Sequence, residues 1–200
     1  MATTAALTSK AIRTILKRVF PQTKFTVKCS NFAGGNSVHV KYADSIPERF
    51  VSDIVKQFEY GSFNGMIDLY EFTNCRDDIP QVKYVSTDRD VSIEFARAIL
   101  EYIKAERYSD FPEDAQVYDE GYWWSVKAGS CPAGYLPKYN NIGLSSCVRN
   151  YATYFTFTDG KLELFPQSTP RLTTQLNHSC NCLSEVNVFG GKALAEVSND

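Results

Sequence analysis

Histidine, methionine and tryptophan are scarce, at two residues each in a chain of 200. His39 and His178 are therefore the only imidazoles, which leaves little material for the acid–base and nucleophilic chemistries that rely on them. No apolar run approaches the ~18–20 residues of a membrane span. The first twenty residues also lack an apolar core followed by a small-residue cleavage site, so a cytoplasmic location is expected. A formal net charge of −2 excludes a histone-like polycation and gives no sign of a strongly acidic nucleic-acid mimic. The six cysteines form no tight repeating framework, and they fit reduced thiols better than a secreted disulfide scaffold.

What is present is an ordinary globular composition, 44% hydrophobic and 14% aromatic, unevenly charged along its length. The first 43 residues hold Lys10, Arg13, Lys17, Arg18, Lys24, Lys28 and Lys41, and no acid precedes Asp44. Residues 1–108 carry +2 and residues 109–200 carry −4. The expected organisation follows this change: an α+β domain over 1–108 and a β-rich aromatic region over 109–200.

Hydrophobic spacing predicts a helix from Thr8 to Val19, with Ile12, Ile15, Leu16 and Val19 on one stripe and Pro21 after its end. Lys24 to Cys29 and Ser37 to Tyr42 alternate apolar and polar residues around the turn-forming Asn31 to Asn36, which reads as a β-hairpin. A second helix is expected to enter at Asp44 to Glu48, with Ser45 as cap, Pro47 in its first turn, Phe50, Ile54, Val55 and Phe58 inward, and Gly61 at its stop. Met66 to Phe72 and Val82 to Ser86 are strand candidates, and Asp90 to Tyr108 reads as a long helix. The order is helix, hairpin, helix, two strands, helix, with the four strands expected in one largely antiparallel sheet.

Beyond it, Ser109 to Gly121 reads as an acidic linker or surface loop and Tyr122 to Asn141 as irregular packing. Arg149 to Phe157 and Leu162 to Phe165 read as a second hairpin around Asp159-Gly160, and Val186 to Phe189 as a short strand. This gives the β-rich C-terminal extension.

Three stretches of the first half share a pattern: Phe20 to Val27, Ser37 to Asp44, and Phe63-Asn64-Gly65-Met66-Ile67-Asp68-Leu69-Tyr70-Glu71-Phe72. With Tyr84, Val85 and Arg89, they resemble the large polyvalent protein-associated domains, specifically the twenty-ninth of that series, over roughly residues 10–95. The resemblance implies a phage or conjugative element in a bacterial host, where such domains sit in long proteins thought to protect incoming DNA from host defences. The sequence departs from the family at Ser45, where a glycine tends to follow the aspartate, and at Tyr42, where tryptophan is frequent.

For chemistry, His178, Cys180 and Cys182, with Cys131 and Cys147, hold the ligand types of a zinc site. However, Cys-x-Cys along a strand sends its sulfurs to opposite faces. A Cys/His nucleophile pair has no supporting signature, Asp77-Asp78 and Asp88-x-Asp90 sit where aspartates form turns and caps, and Gly34-Gly35 precedes a strand rather than a helix. No cofactor is implied, and no enzymatic activity is expected.

Binding features are clearer. Lys10, Arg13 and Lys17, at i, i+3 and i+7, share a helix face with Arg18 alongside, suited to nucleic acid, to an acidic surface, or simply to water. Tyr118, Asp119, Glu120, Tyr122, Trp123 and Trp124 form an acidic, aromatic cluster that is either a protein-docking loop or the core of a small module. The expected function is that of a non-enzymatic counter-defence protein that binds and inhibits a host defence protein or ribonucleoprotein complex, as an anti-CRISPR does. The alternative is a nucleic-acid-binding accessory protein of phage DNA metabolism.

Overall fold

A computed structural model describes residues 3–105, 111–136 and 142–165. The fold is α+β, with four α-helices and several small, mostly antiparallel sheets among the described residues. The chain divides into two compact units. The described part of the first comprises residues 3–42 and 48–88, and the second comprises Ala43–Pro47 and Arg89–Phe165.

In the first unit, helix α1 spans Thr4–Val19 and starts four residues earlier than its apolar stripe suggests, because the Thr3 side chain caps it by accepting from the Ala6 N–H. Its inward face carries Ile12, Ile15 and Leu16, each at most 2% exposed and each contributing about 1.5–3 kcal/mol of apolar burial. This face packs against β1, Thr26–Phe32, which pairs antiparallel with β2, Gly35–Ala43, from Thr26 opposite Lys41 to Phe32 opposite Gly35.

Helix α2, Glu48–Val55, continues into a 3₁₀ turn, Lys56–Phe58, and buries Phe50, Val51, Ile54, Val55 and Phe58. Strand β5, Tyr84–Asp90, adds to β2. The Lys83 N–H donates to Asn36 Oδ1, His39 Nδ1 lies 2.6 Å from Ser86 Oγ, and Lys41 pairs with Asp88 at 2.8 Å. The partners rise together along both strands, so β5 runs parallel to β2.

The four-strand sheet expected from the sequence is not formed. Among the described residues, strands β3, Ser62–Asn64, and β4, Leu69–Glu71, pair only with each other, and the main sheet has three strands in the order β1-β2-β5. Residues 66–68 are turn rather than strand, with Asp68 at φ 53°. The ribbon is joined to β5 by a loop centred on buried Gln81. Its Nε2 donates to the carbonyls of Gln57 and Asn74, and its Oε1 accepts from the Arg76 N–H.

The second unit is built on α3, Ile93–Ala105, capped by Ser92, whose Oγ accepts from the Phe95 N–H. Phe95, Ala96, Ile99, Leu100 and Ile103 enter a core with Trp124, Val126, Leu136, Leu144, Val148 and Phe155. Three expectations fail here. Arg149 to Phe157 is not one strand: Leu144, Val148 and Ala152 recur every four residues and form the buried stripe of α4, Leu144–Ala152.

The acidic stretch before Gly121 contains β6, Gln116–Asp119, and the aromatic stretch after it contains β7, Trp124–Lys127, the two forming a hairpin. Two short pairs follow, β8, Tyr135–Leu136, with β9, Ile142–Gly143, and β10, Phe155–Thr158, with β11, Lys161–Leu164. The Asp159-Gly160 turn has both residues at positive φ, as a two-residue hairpin requires. Val186 to Phe189 lies outside the described residues.

Ser45 does not cap α2. With Asp44 it takes a left-handed backbone, φ 44° and 50°, and its N–H donates to the Phe157 carbonyl. A glycine, which the resembled family tends to place there, adopts this conformation without the Cβ penalty that serine carries.

Candidate partner-binding surfaces

The first surface is the β3–β4 ribbon. Among the described residues it joins no larger sheet, and most of its large apolar side chains stay exposed while Tyr70 packs at its base. Phe63, Met66, Ile67, Leu69 and Phe72 are 57%, 93%, 55%, 59% and 70% exposed. Its turn is ordered by the Asn64 side chain, which accepts from the Met66 N–H and donates to Glu71. Its base is fixed by rings: Tyr60 stacks on Phe72, and Tyr70 meets Tyr60, Phe72 and Tyr84 edge-on.

Tyr70 is further anchored through its hydroxyl, which donates to the Lys83 carbonyl at 2.6 Å. Burial, with the Glu59 carboxylate nearby, pushes its phenol up to about 12. At Gly61 any Cβ would lie 2.1 Å from the Glu71 carbonyl oxygen, so a side chain there forces the ribbon to move.

The second surface is the open face of the β1-β2-β5 sheet. Alternation sends Val27, Val38, Val40 and Val85 into the core and leaves Lys28, Ser30, Phe32, Ser37, His39, Lys41, Tyr84 and Ser86 on the other face. Phe32 and Tyr84 stack with centroids 6.3 Å apart at 18°. The Lys83 ammonium sits 5.0 and 5.4 Å from the Tyr70 and Tyr84 rings and donates to the Gly34 carbonyl. Gly35, opposite Phe32, leaves space that Lys83 fills: a Cβ there would lie 2.7 Å from Lys83 Cδ.

Residues 3–92 match the family model for large polyvalent protein associated domain 29. This segment is a large polyvalent protein associated domain. Both surfaces lie within its limits, and the motif residues Phe63, Met66, Asp68 and Tyr70 that carried the resemblance form the ribbon and its anchor. No curated protein and no solved structure matches the chain.

Within the domain, Lys10, Arg13, Lys17 and Arg18 are exposed on α1, but they are not one uncommitted stripe: Arg13 Nη2 donates to the Val27 carbonyl at 2.5 Å. In the second unit, Tyr122 and Trp123 stand 98% and 63% exposed at the tip of the β6–β7 hairpin, with Tyr118 on β6 behind them. Asp119 accepts from the Gly121 N–H and so shapes the tip. Glu120 accepts from Ser125 and Lys127, hydrogen bonds that hold its carboxyl below the usual range.

Trp124 is separated from this group. It is 6% exposed, its indole donates to the Val91 carbonyl at 2.6 Å, and the Arg149 guanidinium lies over its ring.

Cys131 and Cys147 are half-buried, and Cys131 Sγ donates to the Tyr135 carbonyl. Burial pushes the Cys147 thiol up and keeps it protonated, an unreactive state. Cys147 lines an apolar cavity of about 160 Å³ with Ile103, Phe111, Leu136 and Tyr151. His178, Cys180 and Cys182 lie outside the described residues, and among the described residues no three His, Cys, Asp or Glu side chains converge as metal ligands. No described helix is long and apolar enough to cross a membrane.

The sequence reading did not single out Phe32, Tyr60 or Lys83, nor the exposure of the ribbon. The available signal was Asn64-Gly65, a turn dipeptide immediately before the supposed Met66 to Phe72 strand, flanked by apolar residues at both odd and even positions. A half-buried strand alternates, whereas an unsheltered ribbon shows both parities.

Proposed function

We propose that the protein is a non-enzymatic binding protein of a phage or mobile element that docks on and inhibits a host defence complex. The observation that carries this reading is the β3–β4 ribbon: five large apolar side chains, each more than half exposed, within ten residues. Contiguous apolar surface of this kind marks interaction sites on folded proteins. The anchoring rings and the Gln81-centred loop hold the ribbon in place before a partner arrives, which lowers the ordering cost of association.

The β6–β7 tip, with Tyr122 and Trp123, offers a second anchor of the same kind in the other unit. The mobile-element context implied by the family resemblance supports a defence complex as target. Inhibition of an RNA-guided complex, in the manner of an anti-CRISPR, is the specific form of the proposal.

Affinity capture with the tagged chain from nuclease-treated host lysate tests it. A defence complex should be recovered by the native chain and lost from the Met66→Asp, Ile67→Asp double variant, whose positions lie in the exposed turn and leave the core intact. Recovery of no defence complex, or of one that the double variant retains equally, refutes the ribbon reading. Capture that disappears on nuclease treatment favours the accessory protein of phage DNA metabolism instead.

A further inference from the structure

We infer that the open face of the β1-β2-β5 sheet binds single-stranded nucleic acid, with Phe32 and Tyr84 as base-stacking platforms and Lys28 and Lys83 as phosphate contacts. The inference does not use the exposed ribbon side chains Met66 and Ile67, although Tyr84 also braces the ribbon base through Tyr70.

The face differs from the ribbon in composition. Among the described residues its large apolar groups are Phe32 and Tyr84, 47% and 37% exposed, set among lysines, serines, Thr26 and His39. A protein-docking core wants contiguous apolar area with charge depleted at its centre. A pair of rings on a basic, hydroxyl-rich floor suits bases, because every base has a π-face and every linker a phosphate.

The two rings are also held before binding. They stack on each other, Tyr84 is braced edge-on by Tyr70, and Lys83 lies against both tyrosines. Charge on the face is complementary to a phosphate backbone: Lys28, Lys41 and, at its edge, Lys83 outnumber the two acids of β5, Asp88 and Asp90, and Asp88 is paired with Lys41. His39 and the serine hydroxyls of Ser30, Ser37 and Ser86 supply donors and acceptors for base edges. Duplex is disfavoured, since stacking on exposed rings needs unpaired bases.

The test is fluorescence anisotropy of the full chain with labelled dT and rU 12-mers, and a duplex of the same length, at about 50 mM salt. Saturable single-strand binding is expected, tighter than to the duplex. Two phosphate contacts should give a slope of log K against log salt of about −1.4. Phe32→Leu, which keeps an apolar side chain but removes the ring, should weaken binding by about tenfold, and Tyr84→Leu likewise.

Phe32→Trp should retain affinity, and Lys28→Ala should flatten the salt slope. The ribbon variant Met66→Asp, Ile67→Asp should bind the strand as the native chain does, which separates a failure here from a failure of ribbon docking. Absence of saturable binding, equal affinity for duplex, or indifference to both ring removals overturns the inference. Loss of a captured protein partner on Phe32→Leu without any strand binding overturns it in favour of a protein ligand.

Discussion

Replacing Arg89 with methionine should destabilise the second unit by about 3–5 kcal/mol, part of the total of four part-buried hydrogen bonds to a charged group. The Arg89 guanidinium donates to four backbone carbonyls: Asp44 through Nε at 2.6 Å, Ser45 and Phe155 through Nη2 at 2.9 and 2.8 Å, and Ala152 through Nη1 at 2.8 Å. It also lies over the Phe95 ring. A hydrogen bond to a charged group is worth about 1.5–3 kcal/mol, so the four together set an upper bound well above the expected loss. Two effects reduce it.

Water can reach some of the freed carbonyls. The Asp44-Ser45 backbone, held left-handed by these bonds, can also relax and recover roughly 1–2 kcal/mol per residue of steric strain. Lysine at position 89 keeps the charge but not the planar fork, so it should lose nearly as much. Urea unfolding followed by tryptophan fluorescence reads the effect, because Trp124 lies in the same core. For a denaturant slope of ~2 kcal/mol per M, the midpoint should fall by about 2 M. Arg97→Met, an exposed position on the same unit, should stay within about 0.5 kcal/mol of the native chain. A shift under that margin for Arg89→Met, or an equal one for Arg97→Met, would refute the reasoning.

Other outcomes follow from the ribbon. Gly61→Ala should cost about 1–3 kcal/mol in the same denaturation assay, because its Cβ meets the Glu71 backbone rather than a flexible side chain. It should also impair partner capture as the turn variants do, and native-like behaviour on both counts would show that the ribbon base is not fixed at this point. Spectrophotometric titration should find one tyrosine ionising near 12, absent from Tyr70→Phe. Since the folded protein holds that proton more tightly than the unfolded chain, the associated stability is complete below pH 10 and is lost as pH rises from about 10 to about 12. Tyr70→Phe should remove this alkaline component, and an unchanged profile would place the perturbed phenol elsewhere.

Local pattern and tertiary setting contributed differently to what can be read from this chain. The stripe of Ile12, Ile15 and Leu16, the alternation through Val38 and Val40, and the Asp159-Gly160 turn were legible because each is fixed by side-chain period or by backbone freedom at one residue. The first hairpin and helices α1 to α3 follow from the same signals, as does the α+β class.

Helix α4 was not legible, since Tyr151, Tyr154, Phe155 and Phe157 weigh toward strand. Only burial of Leu144, Val148 and Ala152 in the second core selects the helix. The aromatic cluster shows the limit most plainly. Trp123 and Trp124 are adjacent and chemically identical, yet the hairpin pleat sends Trp124 under the Arg149 guanidinium and leaves Trp123 in solvent.

The candidate site follows the same division. Sequence supplied Phe63, Met66 and Tyr70 as members of a family motif and Lys28, Lys41 and His39 as alternate residues of a hairpin. Whether β3 and β4 joined the main sheet or stood apart was decided by long-range pairing, in which β5 takes the place beside β2. That choice leaves the ribbon's apolar side chains exposed and brings Tyr84 against Phe32. Residue identity and spacing thus determined which faces could exist, and strand pairing between distant segments decided which of them stay exposed among the described residues, because pairing and packing over a face are long-range choices that local pattern does not fix.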